Sequence, residues 1–147
     1  MTGCKTHIAL QVADLNRSLA FYQVLLDAYP VKHKADYVKF DVADPGLNLT
    51  LNASGEIHPS GALSHLGIQV DSAQALQMAI ARFRAAGLAM VEERDTDCCY
   101  ALQDKVWVSD PDGNRWEIFV VKVADTAPEK TVGVTKAVSQ QPTTCCP

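Results

Sequence analysis

The chain is expected to adopt an α+β fold made of two βαβββ modules, and three features of the sequence point to it. A short strand-like segment occurs twice, as His7-Ile8-Ala9-Leu10-Gln11-Val12 and as His65-Leu66-Gly67-Ile68-Gln69-Val70, 58 residues apart. Each copy runs on into apolar residues at helical spacing. Each helical stretch is then followed by alternating apolar and polar runs broken by Asp-Pro turn sequences. These features place module one at about residues 5–53, a linker rich in Gly, Ser and Pro at 54–62, and module two at about 63–123. Residues 1–123 then form one domain. Repetition of this kind predicts a curved mixed sheet, or partial barrel, with helices on its outer face and a cleft between similar halves.

In module one, Asp14 is a suitable N-cap, and Leu15, Leu19, Tyr22 and Leu26 mark the buried stripe of a helix that ends before Pro30. Tyr37–Val42 and Leu47–Leu51 alternate as half-buried strands do, with Asp44-Pro45-Gly46 as the turn between them. In module two, Ser72 caps a helix with Leu76, Ile80 and Phe83 inward, and Gly87 is a fitting stop. Strands are expected near Met90–Arg94, Ala101–Val108 and Arg115–Val121. Asp110-Pro111-Asp112-Gly113 forms the last turn. The segment 124–147 has little periodicity and reads as a flexible tail.

At 147 residues and 48% hydrophobic, the sequence suits one compact body. No apolar run reaches the roughly 20 residues that a membrane helix needs, and the N-terminus lacks a signal-peptide pattern. The formal charge is −4, with no basic stripe, which argues against nucleic acid and anionic membrane as partners. Of five cysteines, four stand in adjacent pairs. Neighbouring Cα atoms lie about 3.8 Å apart, too close for an ordinary disulfide, so the chain reads as cytoplasmic with reduced thiols.

Strand alternation sets His7, Ala9 and Gln11 on one face of their strand and Ile8, Leu10 and Val12 on the other. His65, Gly67 and Gln69 likewise oppose Leu66, Ile68 and Val70. The apolar faces should pack on helices, leaving both histidines on the concave face. In the last strand Trp116, Ile118 and Val120 are apolar, so Glu117 faces inward with the histidines. A buried carboxylate needs a cation or a proton. A metal held by His7, His65 and Glu117 meets that need, and two imidazoles with one carboxylate are the ligand set of non-haem Fe(II) oxygenases. Aligning the two turn sequences puts Thr50, a poor ligand, opposite Glu117. A fourth position is then left for substrate and O₂. His33 and His58 read as ordinary surface or loop residues.

Cys98 and Cys99 would point to opposite faces of a regular strand. Acting together requires a loop or bulge, for which Asp95-Thr96-Asp97 is suitable chemistry. Two thiolates can clasp a soft centre such as trivalent arsenic or Cd²⁺. The bland alternative is that both are small core fillers. Lys105 shares strand parity with Gln103 and Trp107, on the side of the cleft. Cys145 and Cys146 read as incidental to catalysis.

The module plan and the His/His/Glu pattern resemble the vicinal oxygen chelate superfamily, which includes glyoxalase I, fosfomycin- and bleomycin-resistance proteins and extradiol dioxygenases. Within it the chain resembles the ArsI/CadI family. The stretches that carry this are Tyr37–Phe40, Leu47–Asn52, Ser64–Val70, Cys98–Ala101 and Gln103–Val108, within a resemblance spanning about residues 5–123. The resemblance implies a non-haem Fe(II) on His7, His65 and Glu117, O₂ as co-substrate, and a trivalent organoarsenical held by Cys98 and Cys99 with Lys105 assisting. Tyr100 and Gln103 would shape the pocket. The implied reaction is cleavage of the carbon–arsenic bond to release arsenite. Alternatives are a cadmium- or arsenite-binding resistance protein without catalysis, or an extradiol dioxygenase or glyoxalase-type enzyme.

Overall fold

The computed structural model describes residues 5–57, 61, 63, 65–98 and 101–127. Module one comprises β1 (Thr6–Val12), α1 (Leu15–Leu26), β2 (Lys32–His33), β3 (Tyr37–Val42) and β4 (Leu47–Ala53). Module two comprises β5 (Leu66–Gln69), α2 (Ala73–Ala85), β6 (Met90–Cys98), β7 (Ala101–Ser109) and β8 (Arg115–Val123). Each module folds its strands into one four-stranded mixed sheet, in the orders β1-β4-β3-β2 and β5-β8-β7-β6. The first strand of each module pairs in parallel with the last, and the remaining neighbours are antiparallel. The two-residue β2 is an edge strand too short to carry an alternation signal. The expected tail lies outside the described residues beyond Ala127.

Local chemistry sets the helix ends. The Asp14 side chain accepts from the Arg17 N–H at 2.9 Å, and the Ser72 hydroxyl accepts from the Ala75 N–H at 3.1 Å. Each satisfies one of the donors orphaned at a helix start. Helix α1 ends in a left-handed residue, Asp27, ahead of Pro30. Gly87, at φ 71°, follows α2.

One apolar core runs through both modules. From module one it takes Tyr22, Leu25, Val38, Phe40, Leu49 and Leu51, and from module two Leu76, Ile80, Phe83, Val106, Trp116 and Ile118. Burying a side chain of the Leu or Phe class contributes about 1.5–3 kcal/mol. Helix α1 packs on β3 and β4, α2 on β7 and β8, and the helices touch each other. The helix layer therefore covers the apolar face of each sheet. The faces that carry His7 and Glu117 both turn away from it.

A buried polar knot joins the modules. The Tyr22 hydroxyl on α1 donates to Asp110 Oδ2 at 2.6 Å, and the Trp116 indole N–H donates to the Tyr22 oxygen at 3.2 Å. Asp110, only 4% exposed, also accepts from the Asp112 and Asn114 N–H groups and the Asn114 amide. Burial, and then the adjacent Asp110 charge, push the Tyr22 hydroxyl pKa far above the ordinary tyrosine value.

Candidate functional site

The candidate site is built on the face of the second sheet that turns away from the helices. Strand register aligns Gly67 with Glu117 and Glu117 with Trp107. His65 stands one residue before β5, on the same side as Gly67. Its Nε2 lies 3.6 Å from Glu117 Oε1, with the two side chains 24% and 11% exposed. The imidazole also packs edge-on to Trp107, ring centroids 5.1 Å apart. A nitrogen and an oxygen donor this close on one sheet face fit two ligands of a single divalent metal.

Glu117 has a second partner. The Lys105 ammonium lies 2.9 Å from Glu117 Oε2, and its side chain is 1% exposed. The expectation that this carboxylate needs a cation is therefore met by a side chain of the protein itself. Lys105 also lies over the rings of Trp107 and Phe119, at 5.5 and 6.0 Å from their centroids. The Arg115 guanidinium also stacks over the Trp107 ring, 4.4 Å from its centroid. Trp107, Arg115 and Gly67 are site neighbours that the sequence reading did not single out. Parity with Lys105 and His65 is the signal that marks them.

His7 occupies the equivalent place on the first sheet. It pairs in register with Asn48, is exposed, and sets Nδ1 3.1 Å from the Asn48 carbonyl oxygen. The equivalence of the sheets is explicit in the register. The row Ala9–Thr50–Lys39 in module one corresponds to Gly67–Glu117–Trp107 in module two. Thr50 thus stands where Glu117 stands. Among the described residues, no three His, Cys, Asp or Glu side chains are placed to hold a metal ion. The physical reason is the layer order: each sheet turns its polar face away from the shared helices.

The segment leading to the cysteine pair contains the irregularity that the thiols require. Glu93 pairs with Lys105 and Thr96 with Gln103, so β6 makes three steps where β7 makes two. This is a β-bulge, with Asp95 at φ 51°. The Asp95 N–H donates to Asp104 Oδ1 at 2.8 Å, and Lys122 bonds Asp95 Oδ1 at 2.7 Å and Asp104 Oδ2 at 2.9 Å. Hydrogen bonds to Asp95 and Asp104 hold the Lys122 pKa above its ordinary value. Burial alone would raise the Asp104 carboxyl, but the Asp95 N–H and Lys122 outweigh it and hold it low. The extra residue resets the alternation, so the backbone of Cys98, opposite Ala101, falls in the set of rows that contains Gln103 and Lys105. Ala101 and Trp107 are six residues apart on β7, about 20 Å at the usual strand rise. Gln103 is 8% exposed on the rows between. Cys99, Tyr100, Cys145 and Cys146 lie outside the described residues.

Comparison with known proteins agrees with this architecture. The Glyoxalase/Bleomycin resistance protein/Dioxygenase superfamily matches residues 6–118. A trivalent organoarsenical cleaving enzyme from Bacillus sp. (strain MD1) is 43% identical over 141 residues, covering 95% of this chain and 81% of that protein. Cadmium-induced protein CadI from Mycobacterium tuberculosis (strain ATCC 25618 / H37Rv) is 43% identical over 117 residues, 80% of this chain and 76% of that one. Among solved structures, a glyoxalase/bleomycin resistance protein/dioxygenase from Alicyclobacillus acidocaldarius superposes with a TM-score of 0.67 at 17% identity, covering 83% of this chain and 94% of that one. The two βαβββ modules, the register that makes them equivalent and the 43% identity across most of the sequence place the chain in the glyoxalase/bleomycin resistance protein/dioxygenase superfamily and, within it, in the ArsI/CadI family.

Proposed function

We propose that the protein is a non-haem Fe(II)-dependent lyase that uses O₂ to break the carbon–arsenic bond of trivalent organoarsenicals, methylarsonous acid or trivalent aromatic arsenicals, and releases arsenite. The observation that carries this reading is the convergence of His65 and Glu117, 3.6 Å apart on the polar face of the second sheet, in a chain of this family. His65 and Glu117 supply two ligands. His7, exposed on the equivalent face of the first sheet, supplies the third from a second copy of the chain, since the layer order keeps it from its own Glu117. When bound, Fe(II) supplies O₂ activation.

The protein's own groups do the rest. The Cys98 and Cys99 thiols exchange for the two arsenic-bound hydroxyls, each forming a sulfur–arsenic bond and releasing one water. Holding arsenic in this way raises its local concentration on the protein, and reaction at the metal then requires the thiol segment to fold over the roughly 20 Å of sheet between Ala101 and Trp107. The Asp95 bulge puts Cys98 in register with the site's rows. Gln103 and Lys105 line the rows between thiols and carboxylate, and Tyr100 shapes the space for a methyl or aryl group. Trp107 walls the metal end and keeps water from the imidazole.

The decisive assay reconstitutes reduced protein with Fe(II) under anaerobic conditions, adds methylarsonous acid and air, and follows arsenite by speciation. Glu117→Gln should lower iron content, and iron content equal to wild type would reject Glu117 as a ligand. One observation favours a second reading. Lys105 already neutralises Glu117, so the fold holds its carboxylate without a metal. A thiol protein that sequesters arsenite or Cd²⁺ without turnover is consistent with that, and it would bind stoichiometrically and release nothing in air.

A further inference from the structure

We propose that Gly67 is a positioning residue, kept without a side chain so that Glu117 can lie across β5 toward His65. A Cβ built on Gly67 would fall 3.0 Å from Glu117 Cγ and 3.3 Å from Glu117 Oε1. Both distances are tighter than nine in ten contacts of real Cβ atoms, so the Glu117 side chain must give by a few tenths of an ångström. The glycine is not there for its backbone. The described glycines at positive φ are Gly55, Gly61, Gly87 and Gly113, so Gly67 has a conformation that an alanine accepts. The room it leaves is what the site uses.

That room decides where the carboxylate goes. Oε1 reaches toward His65 and Oε2 is held by Lys105. A methyl group at position 67 presses on Cγ and Oε1, the side that faces His65, and leaves the Lys105 side untouched. The carboxylate then swings toward Lys105 and parts from the imidazole. Module one is a natural control. There the equivalent position is Ala9, and its partner in the row is Thr50, whose side chain is too short to need the space. Glycine accompanies the long carboxylate, and alanine accompanies the short hydroxyl.

The metal half of this inference rests on the proposed function, whereas the geometric half does not. A double-mutant cycle therefore uses two readouts, thermal stability of the metal-free protein and affinity for Mn(II) by calorimetry. Gly67→Ala should lower the metal-free melting temperature by several degrees. It should do much less in the Glu117→Asp background, where the shortened side chain clears the new methyl. Mn(II) affinity should fall about tenfold or more with Gly67→Ala alone, as expected when an orienting contact is lost. A loss of stability that is equal in both backgrounds overturns the proposal, because it assigns the glycine to the strand and not to Glu117. If Gly67→Ala does not fold, recovery of soluble protein on adding Glu117→Asp supports the proposal, and absence of recovery overturns it. Wild-type protein that takes up no Mn(II) refutes the metal reading, and the stability cycle still judges Gly67.

Discussion

The Lys105 ammonium sits 2.9 Å from Glu117 Oε2 while Glu117 Oε1 faces His65, so one carboxylate is shared between a built-in cation and a candidate metal ligand. Both partners of the ion pair are buried, which makes its disruption costly. Lys105→Met should destabilise the metal-free protein by about 3–5 kcal/mol, the usual cost of stranding one member of a buried pair. A divalent metal would take over the missing charge, so the rise in melting temperature on adding Mn(II) should be larger in the variant than in wild type. Urea denaturation with and without metal checks both statements.

His7 and the His65–Glu117 pair face away from the common helix layer, and in the proposed site His7 comes from a second chain. His7→Ala and Glu117→Ala should each abolish activity alone. Unfolded together and refolded as a mixture, they should recover about a quarter of wild-type activity. Half of randomly paired dimers are then mixed, and each mixed dimer has one intact site of two. An activity assay on the co-refolded mixture checks this, and no recovery would mean that the site is closed within one chain.

Removing Asp95 would return β6 to regular pairing and leave Thr96 and Cys98 opposite the same β7 residues, so it does not test the thiols. An alanine inserted between Cys98 and Cys99 parts them instead. Titration with phenylarsine oxide should show a loss of tight binding of about tenfold or more, because single thiols replace a paired clasp. Mn(II) affinity should stay at the wild-type value, since Glu117 lies on β8 and His65 just before β5.

The Tyr22–Asp110 contact makes stability depend on alkaline pH. The folded-state pKa of Tyr22 is raised above the ordinary value of 10.0, by burial first and by Asp110 second. The unfolded chain therefore loses the tyrosine proton first. The stabilisation is fully present below pH 10 and declines above it, by up to about 1.4 kcal/mol per pH unit. Tyr22→Phe should cost about 1–3 kcal/mol at pH 7, by leaving Asp110 Oδ2 short of a donor. It should also flatten the fall in stability above pH 10, as read from urea midpoints across pH 8–11.

Much of this molecule is legible in its sequence because the local signals agree with the packing. Asp14 and Ser72 cap the helices they should, and the Trp116–Ile118–Val120 alternation is the buried face of β8. The repeated strand placed His65 beside Glu117, since parity and parallel pairing leave that pair one arrangement. The Asp95-Thr96-Asp97 segment proved to be a bulge inside a strand, longer than the Met90–Arg94 strand expected, because ladder pairing with β7 outweighs its loop-like composition. Three things were beyond reach. Alternation tells which residues share a face but not which way the two sheets turn their faces, so the separation of His7 from Glu117 is a matter of layer order. The Lys105–Glu117 bond depends on side-chain length across neighbouring strands. The close approach of Gly67 to Glu117 appears only when the pleats are superposed.

In the proposed reaction the carboxylate–imidazole site and the thiols act together on one arsenical. The most direct measurement is the time course of arsenite released per protein molecule, in air, from methylarsonous acid and Fe(II)-reconstituted protein, with Cys98→Ser/Cys99→Ser alongside. Arsenite should accumulate well beyond one equivalent in the wild type and stay at background in the double variant, whose iron content is unchanged. Release that never exceeds one equivalent, or that continues undiminished without the thiols, would contradict joint action of the two sites.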